Sequence, residues 1–130
     1  MTSSNNTYAN RSNGKQHGDV FTSPIVVRHM LDLVNYVSSR DLRNVKILEP
    51  SCGDGAFVKE IARRLIQSAQ QYNFNASEAF QKNVQAYDID ERKVKQCVAQ
   101  VKRLGICSAE QSISVADFLK VQVQPTDRVV

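Results

Sequence analysis

Apolar residues recur every three or four positions along three segments of the chain, which predicts three amphipathic helices. The first covers about residues 22–38 and starts at a hydroxyl residue followed by proline, a typical capped N-terminus. The second covers about residues 56–70. Asp90 is placed to cap the third helix, and Gly105 to end it. The predicted apolar faces consist of Val26, Met30, Leu33, Val34 and Val37; of Phe57, Ile61, Leu65 and Ala69; and of Val94, Cys97, Val98, Val101 and Leu104.

Short apolar runs separate these helices and predict buried strands at residues 45–48, 84–87 and 113–115. Residues 128–130 look like the start of a fourth strand. Residues 72–82 are polar and irregular, with at most a short helical turn. Strands that alternate with helices are typical of an α/β fold, in which a parallel sheet is flanked by helices.

The length and composition of the chain are those of one globular domain. It has 130 residues, of which 42% are hydrophobic, and this is enough for a single modest core. Residues 1–17 are polar and lack apolar periodicity, so we expect a mobile arm there and an ordered domain over residues 18–130. No apolar stretch approaches the roughly 20 residues of a membrane span. No secretion signal is visible either, which indicates a cytoplasmic protein without a membrane partner.

Charge and cysteine content restrict the chemistry only weakly. The net charge of +4 is compatible with nucleic-acid contact but does not require it. Most basic residues fall on predicted helices, as in Arg63-Arg64, where a solvated helix face is the simpler interpretation. The chain has three cysteines without a Cys-x-x-Cys pair, and two histidines. This set indicates reduced thiols and no metal site.

Polar residues with candidate chemistry follow each of the three predicted strands. The first strand ends in Glu49 and the glycine turn 53–55, the second in Asp88, and the third in Asp117. In a parallel sheet the carboxyl ends of the strands meet at one rim, where ligands bind. The turn is neither the G-x-G-x-x-G dinucleotide fingerprint nor a phosphate-binding loop. Glu49 and Asp54 flank it, and these acids suit an ammonium or sulfonium group better than a pyrophosphate.

The remaining rim residues fit an adenosine-type ligand. Asp88 can accept hydrogen bonds from both ribose hydroxyls, and Asp117 from an adenine amino group. Ile89 and Phe118 are apolar neighbours suited to the two faces of an adenine ring. A solvated loop end or a helix cap is the alternative for each acid alone, and for Asp90 the cap is the preferred interpretation.

Four segments, in this order, resemble the motifs of a known enzyme family. Residues 48–57, Leu-Glu-Pro-Ser-Cys-Gly-Asp-Gly-Ala-Phe, resemble the first motif of amino-directed DNA methyltransferases, and more narrowly of the adenine-N6 enzymes of restriction–modification systems. Residues 18–24 are similar to the Thr-Pro motif that precedes it, with Ser23 where many relatives have the first proline. Residues 87–90 and 116–119 resemble the second and third motifs.

The resemblance implies a Rossmann-like methyltransferase fold, present here in part, that binds S-adenosylmethionine. It implies that Thr22, Glu49, Ser51 and Gly53 line the methionine end of the cofactor. Asp88 would then hold the ribose, and Asp117 with Phe118 the adenine. The full set of expected cofactor-binding residues is Thr22, Glu49, Pro50, Ser51, Gly53, Asp88, Ile89, Asp117 and Phe118.

The family's catalytic Asn-Pro-Pro-Tyr motif follows a strand that residues 127–130 resemble, and it does not occur in this chain. We therefore expect no catalytic residue here, and no methyl transfer by the chain alone. DNA would be the partner of the complete enzyme. Self-association, or a complementing chain, is expected at the sheet edge that the missing part would cover. A methyltransferase acting on RNA or on a protein glutamine, and a non-catalytic subunit that binds the cofactor or a partner, remain alternatives.

Overall fold

The computed structural model describes residues 22–120 as an α/β fold with a parallel sheet and flanking helices. The predictions of an arm at residues 1–17 and of a strand at residues 128–130 lie outside this range. Strands and helices alternate, which confirms the predicted fold class. The elements are α1 (Pro24–Leu33), β1 (Ile47–Glu49), α2 (Ala56–Tyr72), α3 (Ala76–Asn83), β2 (Val84–Asp88), α4 (Glu91–Leu104) and β3 (Ile113–Val115), with short 3-10 helices at Ala109–Gln111 and Phe118–Lys120.

The sheet places the strands in the order β1-β2-β3, with both neighbouring pairs parallel. Leu48 lies opposite Gln85, and Ala86 lies opposite Ile113. The crossover between β1 and β2 contains α2 and α3, and the crossover between β2 and β3 contains α4. All three residues of β1 are buried, as expected for a parallel strand covered on both faces. The carboxyl ends of the three strands therefore share one rim.

The first helix is shorter than its apolar pattern predicts. Its predicted start is confirmed: the Ser23 side chain accepts a hydrogen bond from the amide of Ile25, and proline occupies the first turn. It ends at Leu33 instead of continuing to residue 38. Asn35 has a φ of 60°, and the Tyr36 amide donates to the Leu31 carbonyl at 2.9 Å. This left-handed exit is a common helix stop, and it turns the buried Tyr36 towards the core.

The region expected to be irregular contains a full helix, which corrects the prediction for residues 72–82. Asn75 caps α3, because its side-chain oxygen accepts from the amide of Glu78 at 3.0 Å. Ala79 and Phe80 on this helix are buried, and Phe80 is completely excluded from solvent. An Asn followed three residues later by Glu was a visible start signal, but the few apolar residues gave no clear helical period.

The core lies between the sheet and the helices. The predicted stripes on α2 and α4 are buried at Ile61, Leu65, Cys97 and Val101. Asp90 and Gly105 bound α4 as predicted, and Asp90 accepts from the Arg92 amide. No helix within residues 22–120 is long and apolar enough to cross a membrane.

Arg64 is buried, which contradicts the interpretation of Arg63-Arg64 as a solvated pair. Its guanidinium donates to the Asp32 carboxylate at 2.7 Å and to the Glu60 carboxylate at 3.1 Å. It also donates to the backbone carbonyl of Tyr36 at 3.1 Å. Burial alone would lower the pKa of Arg64, but the hydrogen bonds to Asp32 and Glu60 outweigh it and the net shift is upward. Arg64 thus joins α2 to α1.

Candidate functional site

The turn after β1 continues the pairing of the sheet beyond the strand. The Cys52 amide donates to the Tyr87 carbonyl at 2.7 Å, so the ladder between β1 and β2 extends into the turn. Gly53 and Gly55 have φ values of 52° and 87°, in the left-handed region that glycine adopts readily. The Gly55 amide closes the turn on the Cys52 carbonyl at 2.8 Å. The helix α2 starts directly behind it.

Asp88 connects the end of β2 to this turn. One carboxylate oxygen accepts from the Gly53 amide at 3.0 Å and from the Ser51 hydroxyl at 3.4 Å. The other accepts from the Asp90 amide at 2.9 Å. The side chain is buried, and it holds together two loops that are 35 positions apart in sequence. Hydrogen bonds to a carboxylate are the stronger class, so this one group fixes the shape of the rim.

The two glycines of the turn face different surroundings. A side-chain carbon added to Gly55 would lie 3.2 Å from the Cys97 sulfur and 3.2 Å from the side-chain oxygen of Gln100. Gly55 therefore allows the turn to pack against α4. A carbon added to Gly53 would meet nothing within 4 Å. The backbone at Gly53 is open to an approaching ligand, while Gly55 serves the packing of the fold.

Glu49 is a buried acid with an elevated pKa. Its side chain is 5% exposed and accepts a hydrogen bond from the Ser51 amide at 3.1 Å. Burial raises the pKa of Glu49 to about 7, although the bond from Ser51 acts in the opposite direction. A cation placed beside this carboxylate would favour its charged form.

The residues expected at the adenine end follow β2 and β3. The Ala116 amide donates to the Asp88 carbonyl at 3.0 Å, which holds the end of β3 against the rim. Asp117 is exposed, and its carboxylate accepts from the Leu119 amide at 3.0 Å, as a cap of the short helix there. The Phe118 ring lies 6.4 Å from the Tyr87 ring. Ile89 is 74% exposed.

Thr22 lies away from this cluster, on the wall of a cavity of about 700 Å³ between the starts of α1 and α2. Asp54 lines the same cavity from the side of the glycine turn. The lining also contains Pro24, Val27, Arg28, Ala56, Lys59, Glu60 and Arg63.

The structure thus brings together Glu49, Ser51, Gly53 and Asp88 in one hydrogen-bonded cluster, with the half-buried Pro50 inside the turn. The other expected residues lie outside the cluster, Thr22 on the cavity wall and the adenine-end residues after β2 and β3. Sequence reasoning missed the cations at the cavity, Arg28 and Lys59. Their proximity depends on how α1 packs against α2, and no local pattern encodes it.

The described part of the chain contains no candidate metal site. Residues 22–120 contain no group of three or more His, Cys, Asp or Glu side chains that could hold an ion. The cysteines Cys52, Cys97 and Cys107 are free, and the first two are buried.

Comparisons with known proteins find three curated type II methyltransferases. M.BstVI of Geobacillus stearothermophilus is 41% identical over 64 residues, which are 49% of this chain and 11% of that protein. M.XhoI of Xanthomonas vasicola is 34% identical over 101 residues, 72% of this chain and 18% of that protein. M.PaeR7I of Pseudomonas aeruginosa is 30% identical over 114 residues, 78% of this chain and 20% of that protein. The chain therefore spans a fifth or less of the length of these relatives. No family model and no solved structure matches it.

Proposed function

We propose that this chain, which is related in sequence to a segment of type II restriction–modification methyltransferases, is the S-adenosylmethionine-binding part of a DNA adenine-N6 methyltransferase. The relatives' names support methyl transfer, and the motifs of the sequence support the adenine-N6 class. DNA is the proposed partner of the complete enzyme. The substrate, the cofactor and the site residues all belong to this proposal.

The observation that carries it is the hydrogen bond between Asp88 and the open glycine of the turn. Gly53 presents backbone without a side chain to open space, and its amide is held by the buried Asp88 carboxylate. A nucleoside must come close to the protein backbone and needs hydrogen-bond acceptors for its hydroxyl groups, and this rim provides both. The Asp88 oxygen that accepts from the Asp90 amide keeps a further lone pair, and on the other oxygen a ligand hydroxyl can replace the long 3.4 Å bond from the Ser51 hydroxyl.

The acids of the site suit the two ends of the cofactor. Glu49 would accept from the ammonium of the methionine part, and the positive charge would lower the elevated pKa of this carboxyl. Asp88 would accept from the ribose hydroxyls. When bound, the cofactor supplies an electrophilic methyl group on its sulfonium. Thr22 would lie towards the methionine end, since it shares a cavity with Asp54 of the turn.

The adenine would occupy the rim between the ends of β2 and β3. Ile89 is exposed and free to cover one face of the ring, and the half-buried Phe118 is available for the other. Asp117 would accept from the adenine amino group with the carboxylate oxygen that does not cap the Leu119 amide. Each of these roles changes the affinity for the cofactor and not the methyl-transfer step.

Isothermal titration calorimetry with S-adenosylmethionine tests the site. We expect micromolar binding by the 130-residue chain, and its loss in Asp88→Ala and in Gly53→Trp, because the first removes an acceptor and the second fills the open face. Asp41→Ala is the control, since Asp41 is an exposed acid that pairs with Arg43 and belongs to none of the expected site residues. Binding that survives both site variants, or no binding by the unaltered chain, would contradict the proposal.

The chain alone should not methylate DNA, because it contains no Asn-Pro-Pro-Tyr motif to orient a target amino group. Transfer of a radiolabelled methyl group to an adenine-containing duplex measures this directly. Incorporation above background by the purified chain would show that a catalytic group lies within these residues.

Self-association through the uncovered surface is part of the proposal. Within the described residues β1 pairs only with β2, so its other edge is open. Helix α1 exposes Ile25 and Leu33 at 71% each, and apolar patches and open edges favour contact with a second copy. We expect a dimer in sedimentation velocity that dissociates in Ile25→Ser/Leu33→Ser and persists in the control Leu119→Ser. A monomer at high concentration would contradict it.

A further inference from the structure

The cavity between α1 and α2 has an excess of unpaired positive charge. It is lined by three cations, Arg28, Lys59 and Arg63, and by two acids, Asp54 and Glu60. The lining of the cavity therefore carries more positive charge than the acidic rim beside it. The cavity thus favours an anionic group, either a phosphate or the carboxylate of the methionine part.

The acids of the cavity are already occupied by protein groups. Glu60 accepts from Arg63 at 3.3 Å and from the buried Arg64 at 3.1 Å. Asp54 accepts from the Ala56 amide at 3.1 Å, at the start of α2. Neither carboxylate forms an ion pair with Arg28 or Lys59.

Arg28 and Lys59 themselves have no ion-pair partner among residues 22–120. Arg28 is exposed and Lys59 is half-buried, and they come from the two helices that form opposite walls. Neither acid of the lining pairs with Arg28 or Lys59, so these two cations repel each other across the cavity and an anion between them is favourable. Arginine and lysine are also the usual partners of nucleic-acid phosphates.

We infer that Arg28 and Lys59 bind backbone phosphates of the DNA substrate, at the mouth of the cavity between α1 and α2. The inference rests on the proposed function, because it takes DNA as the substrate. The cavity adjoins Asp54 of the glycine turn, so a strand held there lies next to the proposed methionine end of the donor. The contact positions the duplex without reading its sequence, as phosphate contacts do.

Fluorescence anisotropy with a labelled adenine-containing duplex at several salt concentrations tests this inference. Each phosphate contact contributes about 0.9 to the slope of log K against log salt. The double variant Arg28→Gln/Lys59→Gln should therefore bind more weakly and with a slope shallower by about 2. The control Lys82→Gln/Arg103→Gln removes the same charge from two exposed positions on α3 and α4, and it should leave the slope almost unchanged.

Calorimetry with S-adenosylmethionine on the same variants separates this inference from the proposed function. We expect the affinity of Arg28→Gln/Lys59→Gln for the cofactor to be unchanged. A loss of cofactor affinity with an unchanged DNA slope would assign the cations to the donor's carboxylate and overturn the inference. Equal slopes in the two double variants, or no salt-dependent DNA binding by the unaltered chain, would also overturn it. In either of those two cases, cofactor binding that depends on Asp88 would leave the proposed function standing.

Discussion

Replacing Arg64 with alanine should destabilise the fold far more than the same change at its neighbour Arg63. The Arg64 guanidinium lies between α1 and α2 with a side chain that is 10% exposed. It donates to carboxylates on both helices and to two backbone carbonyls of the α1 region. Alanine removes all of these donors at once and leaves the acceptors where they are.

The loss of stability depends on whether each acceptor finds or keeps another hydrogen-bond partner after the substitution. Asp32 is 58% exposed, so water replaces the lost partner and the loss is about 1 kcal/mol or less. Glu60 is only 15% exposed but keeps its bond from Arg63. The carbonyl of the buried Tyr36 loses the donor that Arg64 supplies, at a cost of about 1 to 2 kcal/mol. With the lost packing of the side chain we expect about 3 kcal/mol in total.

Thermal unfolding followed by circular dichroism measures this difference. For a domain of about 100 residues, about 3 kcal/mol corresponds to a fall in Tm of roughly 12 to 24 °C. Arg63→Ala is the matched control: its side chain is 49% exposed and makes one ion pair at 3.3 Å, so its Tm should fall by no more than about 4 °C. Arg64→Lys keeps the charge but loses the planar set of donors, so its Tm should lie between those of Arg64→Ala and Arg63→Ala. Equal losses at Arg63 and Arg64 would refute the assignment of Arg64 as the connection between the helices.

Three further predictions concern Glu49, Gly55 and the cap of α3. Burial raises the pKa of Glu49 from 4.5 to about 7, so the contribution of this side chain to the free energy of unfolding is fully present below pH 4.5 and is lost as the pH rises through about 7. In urea unfolding, the free energy of unfolding of the wild-type chain should fall by about 3 kcal/mol between pH 4.5 and 8 relative to that of Glu49→Gln. The same pH dependence in both proteins would contradict this. Gly55→Ala should cost more than about 1 kcal/mol of stability, because φ is 87° and the new carbon would lie 3.2 Å from the Cys97 sulfur. The control Gly53→Ala, whose new carbon would meet nothing within 4 Å, should cost less in the same assay. The reverse order would show that α4 does not constrain the turn. Asn75→Ala should cost about 1 kcal/mol and speed amide exchange in the first turn of α3, where its side chain caps the Glu78 amide; unchanged exchange there would exclude the cap.

The sequence predicted the parts of the fold whose signals are local. Asp90 and Gly105 mark the ends of α4, and the structure has them as its caps. The apolar run 113–115 is the third strand at its predicted bounds. Each of these depends on a short stretch of chain, where capping chemistry and apolar period act together.

The parts that the sequence did not predict depend on contacts between distant residues. Arg64 has the same sequence character as Arg63, and only the packing of α1 against α2 buries one and exposes the other. Helix α3 is anchored by Phe80 in the core, but one buried aromatic residue in a polar stretch gives no period to read. The roles assigned to Thr22, Asp88 and Asp117 stay predictions, because side-chain proximity alone does not identify a ligand.

The bond from the Gly53 amide to the Asp88 carboxylate has a consequence for the order in which the protein matures. Two hydrogen bonds of the turn after β1, from the Cys52 and Gly53 amides, can form only when β2 has docked in parallel beside β1. Such pairing is a slow, long-range step in folding, because the loop between the strands must close first. Under the proposed function, a nascent chain that has emerged only as far as α2 would not bind the donor. On the same proposal, the donor pocket would form in one step, when β2 docks beside β1.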